Sequence, residues 1–152
     1  MIARLILFLV LNFSALAIGG RFTGPGVSSD WYQNLNKAPW TPPGWVFGAA
    51  WTTIMICFAF YMMYLWETIE NKRILIGLFS IQWILNVLWN PIFFKYQAAF
   101  PALLVIILLT IVVGYFLFGF RSTLQYKATF ALPYFLWLLI ATSLNAFILF
   151  KN

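Results

Sequence analysis

The sequence contains no histidine, one cysteine and three acidic residues among its 152 positions. Without histidine the usual imidazole ligand for haem iron or zinc is missing, and the single Cys57 excludes an internal disulfide or a cysteine-cluster metal site. No acidic pair falls inside an apolar run and no glycine-rich phosphate loop is present, so a conventional acid–base or phosphoryl-transfer enzyme is not indicated. Charged residues make up only 8% of the chain, which argues against nucleic-acid binding.

Apolar and aromatic residues are abundant instead. The chain is 64% hydrophobic and 21% aromatic, with eight tryptophans, and its mean hydropathy is +0.92. A soluble domain of this size cannot bury so much apolar surface. The composition therefore predicts an all-α integral membrane protein, and its formal charge of +6 would suit anionic lipid headgroups.

Charged residues divide the chain into five long uncharged runs. A helix needs about 20 apolar residues to cross the hydrocarbon core, and four runs meet this length while the first reaches it with its flanking residues. We predict one domain, 1–152, folded as a five-transmembrane-helix bundle with helices at about 2–21, 44–66, 74–94, 98–120 and 128–150. The first run could instead be a cleaved signal peptide, but Asn12 and Ser14 interrupt its apolar core, so we favour a helix.

The connections between the later helices are short, which predicts that sequential helices are antiparallel neighbours. Five basic residues then fall on the N-terminal side of the membrane and four on the other, a difference that slightly favours a cytoplasmic N-terminus. The first connection, 23–43, is long and rich in proline and aromatics. Pro42-Pro43 cannot lie inside a helix, although Pro43 can begin one. We predict that this loop is ordered and closes one end of a pocket between the helices.

Amide side chains form a stripe on the third helix. Gln82, Asn86 and Asn90 follow one another at intervals of four, so they share a face, and Trp83 and Trp89 flank Asn86. Amides do not face lipid comfortably, so this face points inward. The amides could bond neighbouring helices or line a binding site. We leave both interpretations open for Gln82 and Asn90, and favour a site for Asn86.

Tyr134, Trp137, Ala141, Leu144 and Asn145 have helical spacing on the fifth helix. Ala141 could leave room opposite Trp137 for a flat guest, or could reflect ordinary small-residue packing. Indoles on converging helices make a flat-walled apolar cavity that suits a large planar ligand.

Two further features concern the second and fourth helices. The Gly44-x-x-x-Gly48 spacing on the second could let a neighbouring helix approach closely. The fourth, 98–120, is almost purely aliphatic and aromatic, so we expect it to be a wall that faces lipid or another subunit.

No intramembrane charge is available to relay protons or bind an ion. The remaining function classes are ligand binding, passage of a ligand across the membrane, and chemistry carried out by the ligand itself. A photoexcited pigment stacked on Trp51 and Trp137 could react without acid–base residues.

Three stretches resemble the TspO/MBR family of tryptophan-rich sensory proteins, bacterial relatives of the mitochondrial translocator protein (the peripheral benzodiazepine receptor). The first is Trp31-Tyr32 with Pro39-Trp40-Thr41-Pro42-Pro43-Gly44 and Trp51. The second is Leu85-Asn86-x-x-Trp89-Asn90-Pro91-Ile92-Phe93-Phe94. The third is Leu132-Pro133-Tyr134-x-x-Trp137-x-x-x-Ala141-Thr142-x-Leu144-Asn145.

The resemblance implies a multi-pass protein of a bacterial cell membrane, usually a homodimer, with a pocket capped by the first loop. It implies no required cofactor and binding of porphyrins such as protoporphyrin IX, or of drug-like planar ligands, in a regulatory or stress-sensing role. The alternatives are light-dependent protoporphyrin degradation, with Trp51 and Trp137 as tentative catalytic residues, and tetrapyrrole or lipid transport. The family's sterol motif is incomplete, because Ala146 and Phe150 replace its Tyr and its basic residue.

The stripes and the resemblance together give the predicted ligand-binding residues, with no metal ligands among them. They are Trp31, Tyr32, Trp40, Pro42, Pro43, Gly44, Phe47, Trp51, Asn86, Trp89, Asn90, Trp137, Ala141 and Leu144.

Overall fold

The computed structural model describes residues 1–152, which form helices and no strands. The α-helices are α1 (Ile2–Val27), α2 (Asp30–Asn34), α3 (Gly44–Thr68), α4 (Lys72–Asn90), α5 (Ala99–Gly119), α6 (Arg121–Leu124) and α7 (Leu132–Lys151). A π-helical turn, Pro91–Lys95, extends α4, and a 3₁₀ segment, Gln125–Ala131, leads into α7.

Five helical stretches are long and apolar enough to cross a membrane. They are Ile2–Val27, Gly44–Thr68, Lys72–Lys95, Ala99–Gly119 and Arg121–Lys151. Their outward faces carry many exposed aliphatic and aromatic side chains, as lipid contact requires. The predicted fold class is confirmed: the protein is an all-α, integral, multi-pass membrane protein.

The five long helices form a closed ring in which α1 contacts α3 and α4, α4 contacts α5, α5 contacts α7, and α7 contacts α3. Successive spans run in opposite directions, so both the loop after α1 and the C-terminus of α7 lie at one end of the bundle. We call this the loop end, and the opposite end, where α3 meets α4, the turn end. One hydrophobic core runs through the ring.

Several boundaries differ from those expected. Helix α1 continues through Pro25 to Val27 instead of ending near residue 21, so the connection begins later than 23 and itself contains α2. Contact between Gly26 and Phe94 holds this extra turn. The last helix begins at Leu132 rather than 128, because the preceding segment is 3₁₀ and begins at Gln125, whose φ is +53°. Helix α3 begins at Gly44, with Pro43 as its cap.

Helix α5 is more than an outer wall. Ala102, Val113 and Phe116 on one face are fully buried in the core, while Leu108 and Ile111 on the opposite face are exposed. Since nearly every residue of α5 is apolar, its sequence has no periodicity from which the buried face could be recognised. The outward face agrees with the expected wall, and the buried face shows that the helix also contributes to the core.

Close helix approach occurs at glycines other than those expected. Nothing lies within 4 Å of a Cβ built at Gly44 or Gly48, so this pair brings no helix of the same chain close. A Cβ built at Gly19 would lie 2.6 Å from the Asn90 amide nitrogen, and one at Gly26 would lie 2.4 Å from the Phe94 Cβ. Glycines therefore bring α1 against the end of α4.

Candidate functional site

Aromatic side chains close the loop end of the bundle. Trp31 lies edge-to-face on Phe93 with ring centroids 5.5 Å apart, and Tyr32 lies 5.7 Å from Phe94. Trp89 of α4 stacks on Phe93, with ring centroids 5.0 Å apart. Burial raises the pKa of the Tyr32 phenol. The segment after α1 therefore packs onto the end of the bundle as a lid of edge-to-face and tilted rings.

The same segment is tied to α7. The Trp40 indole N–H donates to the Ser143 hydroxyl at 3.1 Å, and its ring packs edge-to-face on Phe147. The Asn36 backbone N–H donates to the Asn152 side-chain oxygen at 2.7 Å, and the Asn152 amide donates back to the Asn36 carbonyl. Trp40 remains 54% exposed, so it lies on the outside of the bundle.

The amide stripe of α4 divides into two kinds of residue. Gln82 accepts a hydrogen bond from the buried Tyr134 hydroxyl at 3.0 Å, and Asn90 accepts one from the Thr23 hydroxyl at 2.7 Å. These two amides join helices. Asn86 is buried, but its side chain makes no hydrogen bond within the chain; only its backbone carbonyl is used, by Asn90. Of the three amides, Asn86 alone makes no side-chain hydrogen bond within the chain.

The indoles of α4 are also engaged by neighbouring helices. Trp89 donates to the Asn145 side-chain oxygen at 3.0 Å, and Asn145 donates in turn to the Ala99 carbonyl. Trp83 donates to the Leu11 carbonyl at 2.8 Å. The geometry of Trp89 thus links α4, α7 and the start of α5, which is a structural role.

Two tryptophans meet aromatic partners where α3 faces α7. Trp137 lies edge-to-face on Phe47 with centroids 5.3 Å apart, and Trp51 lies 5.9 Å from Tyr134. Trp137 is only 7% exposed, and its indole nitrogen is the one buried side-chain polar atom without a hydrogen-bond partner. An indole N–H removed from water without an acceptor costs free energy, about 1–3 kcal/mol for a typical buried donor.

A groove of about 340 Å³ opens between α3 and α7 beside this indole. It is lined by Val46, Ala49, Ala50, Thr53, Ile54, Pro133, Leu136, Trp137 and Ile140. We call it the α3–α7 groove. The Thr53 hydroxyl is already bonded to the Ala49 carbonyl of its own helix, so the Trp137 N–H is the free donor among these side chains.

Most of the predicted site residues do not line the α3–α7 groove. Among them, Trp137 alone lines the α3–α7 groove, while Phe47 touches its ring from α3. Trp51, the other tentative photochemical residue, packs on Tyr134 and does not line it. Ala141 is half-buried and packs on the core, and Leu144 is buried one turn further along α7.

The other predicted residues lie towards the loop end or within helix contacts. Pro42, Pro43 and Gly44 stand at the start of α3, where Pro43 and Gly44 are exposed. Trp31, Tyr32 and Trp89 belong to the lid and its support, and Asn90 to the contact with α1.

Sequence reasoning missed most of the groove's α3 wall. Val46, Ala49, Ala50 and Thr53 follow the spacing i, i+3, i+4, i+7 of one helix face, and three of them are small. That pattern is a recognisable signal for a shallow face that leaves space beside a neighbouring helix. No group of three histidine, cysteine, aspartate or glutamate side chains converges anywhere in the chain.

Comparison with known proteins places this arrangement in a family. The sequence matches the TspO/MBR family over residues 6–151. It is 31% identical to the "Tryptophan-rich sensory protein" of Cereibacter sphaeroides over 90% of this chain and 87% of that protein. It is 32% identical to the "Tryptophan-rich protein TspO" of Archaeoglobus fulgidus over 100% and 96%. Identity to the "Translocator protein" of Homo sapiens is 30%, over 84% and 78%. The chain belongs to the TspO/MBR family.

Proposed function

We propose that this protein binds porphyrins, with protoporphyrin IX as the representative, and related planar apolar ligands in the α3–α7 groove. Binding would serve a sensory or regulatory role, in keeping with the name of the tryptophan-rich sensory protein of Cereibacter sphaeroides. The observation that carries the proposal is the buried, unpaired indole N–H of Trp137 beside an apolar groove. The indole nitrogen is enclosed in this structure. A ligand with a carboxylate, carbonyl or pyrrole-type nitrogen acceptor at its edge would therefore satisfy that donor by parting α3 from α7, while its ring lies against apolar walls.

The connections around the ring support this location. Helices α3 and α7 are not consecutive spans, and no hydrogen bond joins them. By contrast α1 and α4, which are also not consecutive, share the bonds of Thr23 and Trp83. Van der Waals contact alone holds α3 to α7, so these helices can separate at lower cost than other neighbours.

The size of the groove supports an edge-on mode of binding. Ligand pockets for drug-sized molecules measure about 300–1,000 Å³, and 340 Å³ is at the lower end of this range. A tetrapyrrole would therefore insert one edge between the helices and leave the opposite edge in the lipid. No axial ligand is needed for this mode, because stacking and one hydrogen bond hold the ring.

The experiment is a protoporphyrin titration of the purified protein, followed by quenching of tryptophan fluorescence. Trp137→Phe keeps an aromatic ring but removes the donor, and should weaken binding about three- to tenfold. Trp137→Ala also removes the ring face and should weaken it further. Trp45→Phe is the matched control, because Trp45 is exposed on α3 and does not line the groove. Unchanged affinity in both Trp137 variants would refute the proposal.

The same complex distinguishes binding from light-dependent degradation. Stable porphyrin absorbance under illumination, relative to free porphyrin, is expected for a binding protein. Conversion to a defined product that disappears in Trp137→Phe would instead support degradation. Flux of porphyrin into liposomes containing the protein would identify a transporter.

A further inference from the structure

A second groove lies on the opposite side of the bundle, between α1, α3 and α4. Its volume is about 580 Å³, and ten of its eleven lining residues are apolar. They are Leu7, Phe8, Leu11, Met62, Trp66, Leu75, Ile76, Phe79, Trp83 and Ile84, with Ser80 as the polar member. On α4 the lining runs from Leu75 to Ile84, a rise of about 13 Å, so the groove is long and follows the membrane normal.

One end of this groove opens at the turn end of the bundle, near basic residues. Arg73 precedes Ile76 by one turn of α4, is exposed, and takes part in no ion pair within the chain. The Lys72 ammonium donates to the carbonyls of Trp66 and Ile69 and lies 5.4 Å from the Trp66 ring centroid, on the wall of the groove. Neither Arg73 nor Lys72 forms an ion pair with a carboxylate.

Two carboxylates stand at this mouth. Glu67 accepts a hydrogen bond from Arg4, so that pair contributes no net charge, and Glu70 precedes Lys72 by two residues. The three basic side chains Arg4, Lys72 and Arg73 against these two carboxylates leave one net positive charge where the groove meets the membrane surface, while the groove below is apolar. An elongated molecule with an anionic head and a hydrocarbon tail matches this distribution.

We infer that the α1–α3–α4 groove binds one anionic glycerophospholipid, with an acyl chain between α1 and α4 and its phosphate at Arg73 and Lys72. The groove's length of about 13 Å accommodates roughly ten methylene groups of an extended chain. Trp66, with the ammonium over its ring, stands between the two parts of the lipid. This site is separate from the α3–α7 groove, since no residue lines both.

Native mass spectrometry of the detergent-purified full chain with added dioleoylphosphatidylglycerol or dioleoylphosphatidylcholine tests the inference. One phosphatidylglycerol should be retained per chain, several-fold more strongly than phosphatidylcholine. Arg73→Gln should reduce this preference about fivefold, the effect expected of one basic residue near a lipid surface. Arg121→Gln, an exposed arginine at the same end but outside the groove, should leave it unchanged.

A second pair of variants tests the apolar part. Ser80→Phe fills the groove and should abolish retention of either lipid, whereas Ile81→Phe, one residue further on an exposed position, should not. Thermal unfolding in detergent serves as the folding check for both. Equal retention of the two lipids by the unaltered protein, or unchanged retention in Ser80→Phe, would overturn the inference. The inference would also be overturned if Ser80→Phe changed only the oligomeric state of the protein from dimer to monomer, because a second copy of the chain would then be what covers the groove.

Discussion

The contact between α1 and α4 and the contact between α3 and α7 are built on opposite principles. Where α1 meets α4, Gly19 and Gly26 remove side chains so that backbones approach, and Thr23 bonds to Asn90 across the interface. Where α3 meets α7, no hydrogen bond crosses and a groove remains beside Trp137. The α1–α4 interface pairs its polar groups within the chain. The α3–α7 interface leaves the Trp137 N–H available to a ligand.

This difference separates scaffold from site among chemically similar residues. Trp83 and Trp89 donate their indole N–H groups to neighbouring helices, whereas the Trp137 N–H has no acceptor. The side-chain oxygens of Gln82 and Asn90 also accept hydrogen bonds from neighbouring helices, whereas the Asn86 side chain makes none. In a membrane, where no water satisfies a buried donor, a free polar group is a better indicator of a binding position than residue type.

The largest expected effect tests the close approach itself. Gly26→Ala places a Cβ 2.4 Å from the Phe94 Cβ and should destabilise the protein by about 1–3 kcal/mol. Gly48→Ala, on the open face of α3, should leave stability unchanged or raise it slightly, since alanine is the better helix former. Thermal unfolding in detergent measures both. Equal melting temperatures would show that the α1–α4 interface tolerates bulk, and the contrast between the interfaces would fail.

An intermediate effect compares two buried aromatic donors of α7. Tyr134→Phe leaves the buried Gln82 oxygen without its donor and should cost about 1 kcal/mol, near the middle of the range for hydrogen bonds between membrane helices. Trp137→Phe removes a donor that has no partner, so its cost should be limited to the packing lost with the larger ring. Chemical unfolding of the two variants, with Trp137→Leu as a second packing reference, gives the comparison. A loss for Trp137→Phe that exceeds the loss for Trp137→Leu would contradict the assignment of an unpaired N–H.

The smallest expected effect concerns two threonines. Thr23→Val breaks a hydrogen bond between α1 and α4 and should cost about 0.6 kcal/mol. Thr53→Val, in the wall of the α3–α7 groove, breaks only a bond to its own helix and should be close to neutral for stability. Amide hydrogen exchange near Gly19 and Asn90 should increase in the first variant alone. Faster exchange in α7 instead would contradict the assignment of Thr23 to this interface.

Most of the span boundaries follow from the free-energy cost of placing a charged side chain in hydrocarbon. Because a charged side chain is costly within the membrane, Lys95 and Arg121 lie at the boundaries of spans, and Pro43 marks the start of α3. The extra turn of α1 and the 3₁₀ segment before α7 could not be found in this way. The first depends on Phe94, which is distant in sequence, and the second on the packing of residues such as Phe130 against Tyr64 and Phe60.

The candidate site was less accessible to sequence reasoning. Spacing correctly placed Gln82, Asn86 and Asn90 on one buried or half-buried face. It could not say which amide finds a partner, because Tyr134 and Thr23 lie on other helices whose rotation the α4 sequence does not encode. The gap beside Trp137 depends likewise on the small residues of α3 and on their register against α7.

The position of α7 in the ring also has a consequence for biosynthesis. Because α7 completes the ring and α3 is its neighbour, the ribosome must add about 60 further residues after Thr68 before the partner of α3 even begins. At the usual 5–20 residues per second this takes several seconds. During that interval the first four spans can form only an incomplete ring, in which the small-residue face of α3 has no contact with α7.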